Sequence, residues 1–189
     1  MQVETQEMAL FRSTRAALAF AFNFTHGQYK PSAMATMMGG ARPEGRGLGG
    51  LDGAGTAGLI RAKVDALEPR NRGQILIARF AVQALPCDCR HACCSGFRAN
   101  AEWLKAIAEI SAAARTVLAG CQDNFRLRSV LVRRYFGDQK SLVDAACAAA
   151  VDRGTASAHA RKVTAYLKGE ERQARYAIEG PLKAAGIVE

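Results

Sequence analysis

The sequence predicts a mainly α protein, and three observations predict it. Apolar residues recur at steps of three and four in several windows, as they do on a helix face turned toward a core. Almost nothing alternates at period two, the pattern a half-buried strand requires. Hydrophobic residues make up 49% of the chain, and many are alanine, which has the highest helix propensity. With 189 residues the chain can form one domain or two small ones and still bury a core.

Taken in order, residues 7–24 (EMALFRSTRAALAFAFNF) read as a first helix, and Pro31–Met38 as a short Met-rich helical turn. Residues 1–38 therefore form an N-terminal helical segment. Gly39–Gly58 holds nine glycines and Pro43. Such a stretch loses much backbone entropy on ordering, so 39–58 is expected as a linker or surface loop. It is not a phosphate-cradling loop, because no Gly-Lys-Ser/Thr ends it. Residues 59–121 form a helical core. Ala57–Leu67 and Gly73–Leu85 make a helical pair broken at Pro69 and Asn71–Gly73, the second of them also readable as a strand, and a cysteine-rich loop occupies 86–96. Ala99–Leu118 follows as an amphipathic helix with Trp103, Leu104, Ile107, Ile110 and Ala114 on one face. Residues 122–189 read as helices over Asn124–Phe136, Lys140–Ala150, Asp152–Lys168 and Glu170–Ile178.

Charge narrows the function. The chain carries 26 Lys+Arg against 17 Asp+Glu, a formal +9. By segment the balance is +1 over residues 1–60, +4 over 61–121 and +4 over 122–189. A basic surface of this kind suits nucleic acid, because neutralising phosphates releases condensed counterions. The apolar run Ala16–Phe24 is too short for a secretory signal, and no stretch reaches the ~20 apolar residues of a membrane span. The expectation is a cytoplasmic protein with no membrane partner, whose six cysteines stay reduced unless a metal takes them.

Ser141–Arg161 (SLVDAACAAAVDRGTASAHAR) has the features of a helix-turn-helix. Ala145 and Ala146 supply the small residues where two helices cross closely, and Val151 the apolar plug of the turn. Ala150 stands where a glycine would ease that turn. Asp152 is suited to cap the second helix. Ala156, Ala160, Val163, Tyr166 and Leu167 fall on its buried side. The opposite face, with Arg153, Gly154, Ser157, Ala158 and Arg161, would meet base edges in the major groove of double-stranded DNA. Arginine there can donate two bonds to guanine, while Thr155 and Lys162 are placed for phosphate. The preceding helix adds Arg126, Arg128, Arg133 and Arg134 as backbone contacts.

Pro86–Gly96 (PCDCRHACCSG) places Cys87, Cys89, Cys93 and Cys94 within eight residues, with His91 among them. Four thiolates can close a tetrahedral structural Zn2+ site, and His91 or the distant Cys121 can replace one of them. Buried thiols are the alternative, as expected for Cys147 in its alanine-rich helix. No acid or amide is placed to orient a Cys–His pair for nucleophilic chemistry, so no catalytic residue is assigned and the protein is read as a non-enzyme. The fold class is thus a mainly α helical bundle with a C-terminal helix-turn-helix and a Cys-rich loop suited to zinc.

These parts in this order resemble phage late-gene antitermination proteins of the Q type. The resemblance runs through an N-terminal helical stretch, a glycine-rich break (GRGLGGLDGAGTAGLIRAKV), an apolar helix entering a cysteine cluster, and a basic helical C-terminus. The segment SLVDAACAAAVDRGTASAHARKVTAYLKGEERQA also looks like the DNA-binding end of small phage regulators. The lambda-type member carries two C-x2-C pairs around zinc, whereas the pattern here is C-x-C-x3-C-C. The resemblance implies a factor that binds DNA near a late promoter and loads onto RNA polymerase in the host bacterial cytoplasm, so that terminators are ignored. The N-terminal helix and Met34, Met37 and Met38 are the candidate polymerase-facing residues. A helix-turn-helix repressor or activator bound to an operator is the alternative.

Overall fold

A computed structural model describes residues 9–24, 48–87, 89, 95–118 and 124–189. Seven α-helices are described: α1 (Thr14–Asn23), α2 (Gly50–Asp65), α3 (Asn71–Phe80), α4 (Ala101–Ala113), α5 (Phe125–Tyr135), α6 (Leu142–Ala148) and α7 (Arg153–Ala184). A 3-10 turn, Thr116–Leu118, follows α4. Two three-residue strands, β1 (Ala84–Pro86) and β2 (Phe97–Ala99), pair antiparallel in the register Ala84↔Ala99 and Pro86↔Phe97. The protein is mainly α, as the periodicity predicts.

Two compact units are assembled from discontinuous chain. The first holds the described residues up to Leu67 with Phe80–Val82 and Arg175–Glu189; the second holds Glu68–Arg79 and Gln83–Ala174. Residues 122–189 contribute to both units.

In the first unit α1 packs on α2. Ser13 starts α1 by accepting a hydrogen bond from the Ala16 amide at 3.2 Å. Leu18, Phe20 and Phe22 of α1 and Ile60 and Val64 of α2 are buried. The glycine-rich stretch expected as a linker or loop is helical from Gly50 onward. The physical reason lies in the packing of α2: a Cβ at Gly53 would come within 2.5 Å of the Phe24 ring. A glycine there lets the helix approach closely, and burial of Ala57, Ile60 and Val64 offsets its poor propensity. The chain also closes on itself, with the Phe11 amide donating to the Ile187 carbonyl at 2.9 Å. The proposed helical turn Pro31–Met38 lies outside the described residues.

In the second unit α4 packs on α5, and α5 on α6. Trp103, Ile107, Ile110 and Ala114 are buried as their spacing predicts, while Leu104 is only half-buried. The Trp103 indole donates to the Ala78 carbonyl at 3.1 Å. Asn124 and Phe136 are the caps of α5, the two ends expected for it. The last two helices expected from the sequence are one, the 32-residue α7. Gly169 lies in its interior without ending it.

A polar group is buried in the second unit. Glu171 is 6% exposed and accepts from Arg79 through Nε at 3.0 Å and through a terminal nitrogen at 2.7 Å. The Tyr135 hydroxyl donates to the same carboxylate at 2.7 Å. The Arg79 guanidinium also lies 5.0 Å from the centres of the Tyr135 and Phe136 rings. Burial first, and then the bond and charge of Glu171, hold the Tyr135 phenol above the ordinary tyrosine value, against the opposing Arg79 charge. Both oxygens of the buried Glu171 carboxylate are thus engaged.

Candidate nucleic-acid interface

Between α6 and α7 lie only Ala149–Asp152. Ser141 begins α6, its hydroxyl oxygen accepting from the Asp144 amide at 3.1 Å. The helix ends in a left-handed cap: Ala150 has φ +51°. The Val151 amide donates to the Ala146 carbonyl and the Ala150 amide to that of Cys147, both at 3.0 Å. These two bonds are the Schellman arrangement, which satisfies carbonyls the helix end would leave open. Asp152 then caps α7, its carboxylate accepting from the Thr155 amide at 3.0 Å. Gly154 leaves room for that carboxylate, since a Cβ there would stand 2.9 Å from the Asp152 oxygen.

The small residues have the expected burial. Ala145, Ala146, Ala149 and Ala156 are buried, and Val151 is half-buried. Further along α7, Val163 and Leu167 are buried as expected. His159 is buried, whereas Ala160, expected on the buried side, is half-buried, as is Tyr166. One side chain of α5 braces the turn: Asn124 accepts from the Leu127 amide at 3.0 Å and donates to the Ala149 carbonyl at 2.9 Å.

Alanine pays a penalty in the left-handed region of roughly 1–2 kcal/mol. Ala150→Gly is expected to stabilise the second unit by about 1 kcal/mol, the relief being partly offset by the greater freedom of an unfolded glycine. Urea unfolding should show a higher midpoint with an unchanged slope; a lower midpoint would contradict this account of the turn.

Arg153, Gly154, Thr155, Arg161 and Lys162 are exposed, and Ser157 is half-buried. The start of α7 thus presents the side chains the sequence singles out. The four arginines of α5 divide. Arg126 is exposed, Arg133 is half-buried, and Arg134 is exposed with a terminal nitrogen donating to the Lys140 carbonyl at 2.7 Å. Arg128 departs from its expected role as a backbone contact. It is 4% exposed, its Nε donates to the Ser111 carbonyl at 2.6 Å, and it lies 5.5 Å from the centre of the Phe125 ring. Burial, followed by the charge of Arg115, lowers its pKa from the ordinary arginine value. Its acceptor is a backbone carbonyl of α4, so Arg128 ties α5 to α4 and is not a surface cation.

The cysteine segment sits in the connection between β1 and β2. The Cys87 amide donates to the Gly96 carbonyl at 2.9 Å, holding the two ends of that connection together. Cys87 is half-buried and Cys89 exposed. Cys93, Cys94, His91 and Cys121 lie outside the described residues. Among the described residues, no three metal-ligating side chains gather. Cys147 is exposed, not the buried thiol expected in an alanine-rich helix. Among the described residues, no helix is long and apolar enough to cross a membrane.

Sequence reasoning missed Asn124 as the brace of the turn, and Lys168 and Arg172 as exposed cations of α7. Their signal was present, at steps of seven and four from Arg161, but it emerges only when the helix is drawn through Gly169. Compared with protein-family models, with curated proteins and with solved structures, the chain gives no match.

Proposed function

We propose that the protein is a phage transcription antitermination factor that docks on duplex DNA near a late promoter through a helix-turn-helix at Ser141–Arg161. It then joins host RNA polymerase so that transcription passes terminators. The observation that carries the DNA contact is the short connection at Ala149–Asp152. A left-handed cap, small buried residues on both sides and a capped helix start together turn Arg153, Thr155 and Arg161 outward at the start of α7. Helix N-terminal turns with exposed arginines are the part of such a module that reaches base edges. Arg126 and Arg134 of α5 supply flanking phosphate contacts, Arg133 adds a half-buried third, and Arg128 is left out.

The step from docking to antitermination rests on the order of segments that resembles the Q type. Within that reading Cys87, Cys89, Cys93 and Cys94, with His91 as a substitute, hold a structural zinc ion. The pairing of β1 with β2 supports this, because it brings both ends of the cysteine segment together, and a metal can then replace the core that a short loop lacks. Zinc would supply folding energy there and no chemistry.

In vitro transcription of a template carrying the phage late promoter and a downstream terminator tests the role. Added protein is expected to raise readthrough severalfold. Unchanged readthrough, with DNA binding intact, would replace antitermination by operator-type regulation.

A further inference from the structure

We infer that the DNA-facing surface runs on along α7 past the helix-turn-helix, with Lys168 and Arg172 gripping the phosphate backbone that flanks the base-reading site. This extension rests on the DNA-docking reading above.

Ser157, Arg161, Lys168 and Arg172 follow one another at steps of four, seven and four on a continuous helix, so they share one face. Arg161, Lys168 and Arg172 are exposed, and none has a hydrogen-bond or ion-pair partner among the described residues. A helix stabilised by its own surface would carry acids three or four residues from these cations. Between Arg153 and Arg172 the only acids are Glu170 and Glu171, and both already have partners of their own. Glu170 accepts from the Asn71 side-chain amide at 2.9 Å, and Glu171 is buried with Arg79 and Tyr135. What remains is a uniformly positive stripe. Lys168 and Arg172, four apart, repel each other in the free protein, a cost that a polyanion would reverse.

Geometry selects the phosphate backbone over base edges. Arg161 and Arg172 are separated by about 16 Å along the axis at 1.5 Å per residue. A straight helix with its first turns inside a groove about 12 Å wide has reached the sugar-phosphate rim by then. Cations at the rim position the protein without reading sequence.

The test is fluorescence anisotropy of the full chain with a random-sequence duplex, titrated between about 50 and 200 mM NaCl. Lys168→Ala/Arg172→Ala is expected to reduce the magnitude of the log K against log salt slope by about 2, roughly 0.9 per lost phosphate contact. The ratio of affinities for selected and random duplex should stay unchanged. Lys168→Gln/Arg172→Gln, which keeps side-chain length, should behave alike, and circular dichroism should show native helicity for both. Arg70→Ala/Arg98→Ala removes the same charge elsewhere on the second unit and should leave the slope as it was. An unchanged slope in the Lys168/Arg172 variants, or an equal fall in the control pair, overturns the extension. If Arg153→Ala and Arg161→Ala abolish site preference while that slope is unchanged, only the extension falls. If the unsubstituted protein binds no duplex, the docking reading falls with it.

Discussion

Replacing Glu171 by alanine is expected to destabilise the protein by roughly 3–5 kcal/mol, because it leaves the Arg79 charge partly buried without its anion. The carboxylate takes both Arg79 hydrogen bonds and the Tyr135 hydroxyl at distances between 2.7 and 3.0 Å. Among the described residues Arg79 has no ion-pair partner besides Glu171. At about 2–4 °C per kcal/mol for a chain of this length, Tm should fall by roughly 6–20 °C. The size of the loss reflects an orphaned cation more than the net worth of the pair. Arg79→Met/Tyr135→Phe/Glu171→Leu, which removes all three polar partners together, should therefore recover most of the stability. Thermal unfolding of the two variants checks this. A loss below about 1 kcal/mol in the single variant would place Glu171 with ordinary surface ion pairs.

The second large effect is on recognition. Arg153→Ala and Arg161→Ala are each expected to lower affinity for a selected duplex by about 5- to 150-fold, the equivalent of roughly 1–3 kcal/mol per bidentate guanine contact. Affinity for random duplex should fall much less, by the share of each arginine in phosphate attraction. Lys162→Ala should instead weaken all sequences alike and lower the salt slope by about 1. These side chains lie on the exposed start of α7, while its opposite side buries Ala156, Val163 and Leu167, so the substitutions leave packing untouched. Electrophoretic mobility shifts with selected and random competitors separate the cases. Equal losses on both duplexes from all three variants would mean that this face holds DNA without reading it.

Local chemistry made much of the interface legible. Asp152 is a cap because its side chain accepts from the amide three residues on, a property of the residue and its immediate neighbours. The strain at Ala150 was legible for the same reason: the turn needs a left-handed residue whatever surrounds it. What the sequence hid depended on distant partners. Gly50–Gly58 reads as loop by composition, yet it is helical because Gly53 meets the Phe24 ring and Ile60 is buried. The break expected at Gly169 costs about 1 kcal/mol in helix propensity. Each buried large side chain that continues the stripe, Leu167, Ile178 and Leu182, contributes roughly 1.5–3 kcal/mol, so the helix runs on. Arg128 looks like its three neighbours in sequence, and its burial against the Ser111 carbonyl distinguishes it. The strands β1 and β2, three residues each, are too short for alternation to register.

Base reading by Arg153 and Arg161 is tested most directly by selecting duplexes from a randomised pool with the full chain and then mapping guanine N7 methylation interference on the winners. The expected result is one enriched site with at least one guanine whose N7 methylation blocks binding, an interference that disappears in Arg161→Ala or Arg153→Ala. No enrichment over the starting pool, or interference confined to minor-groove adenine methylation, would contradict a major-groove reading face at the start of α7.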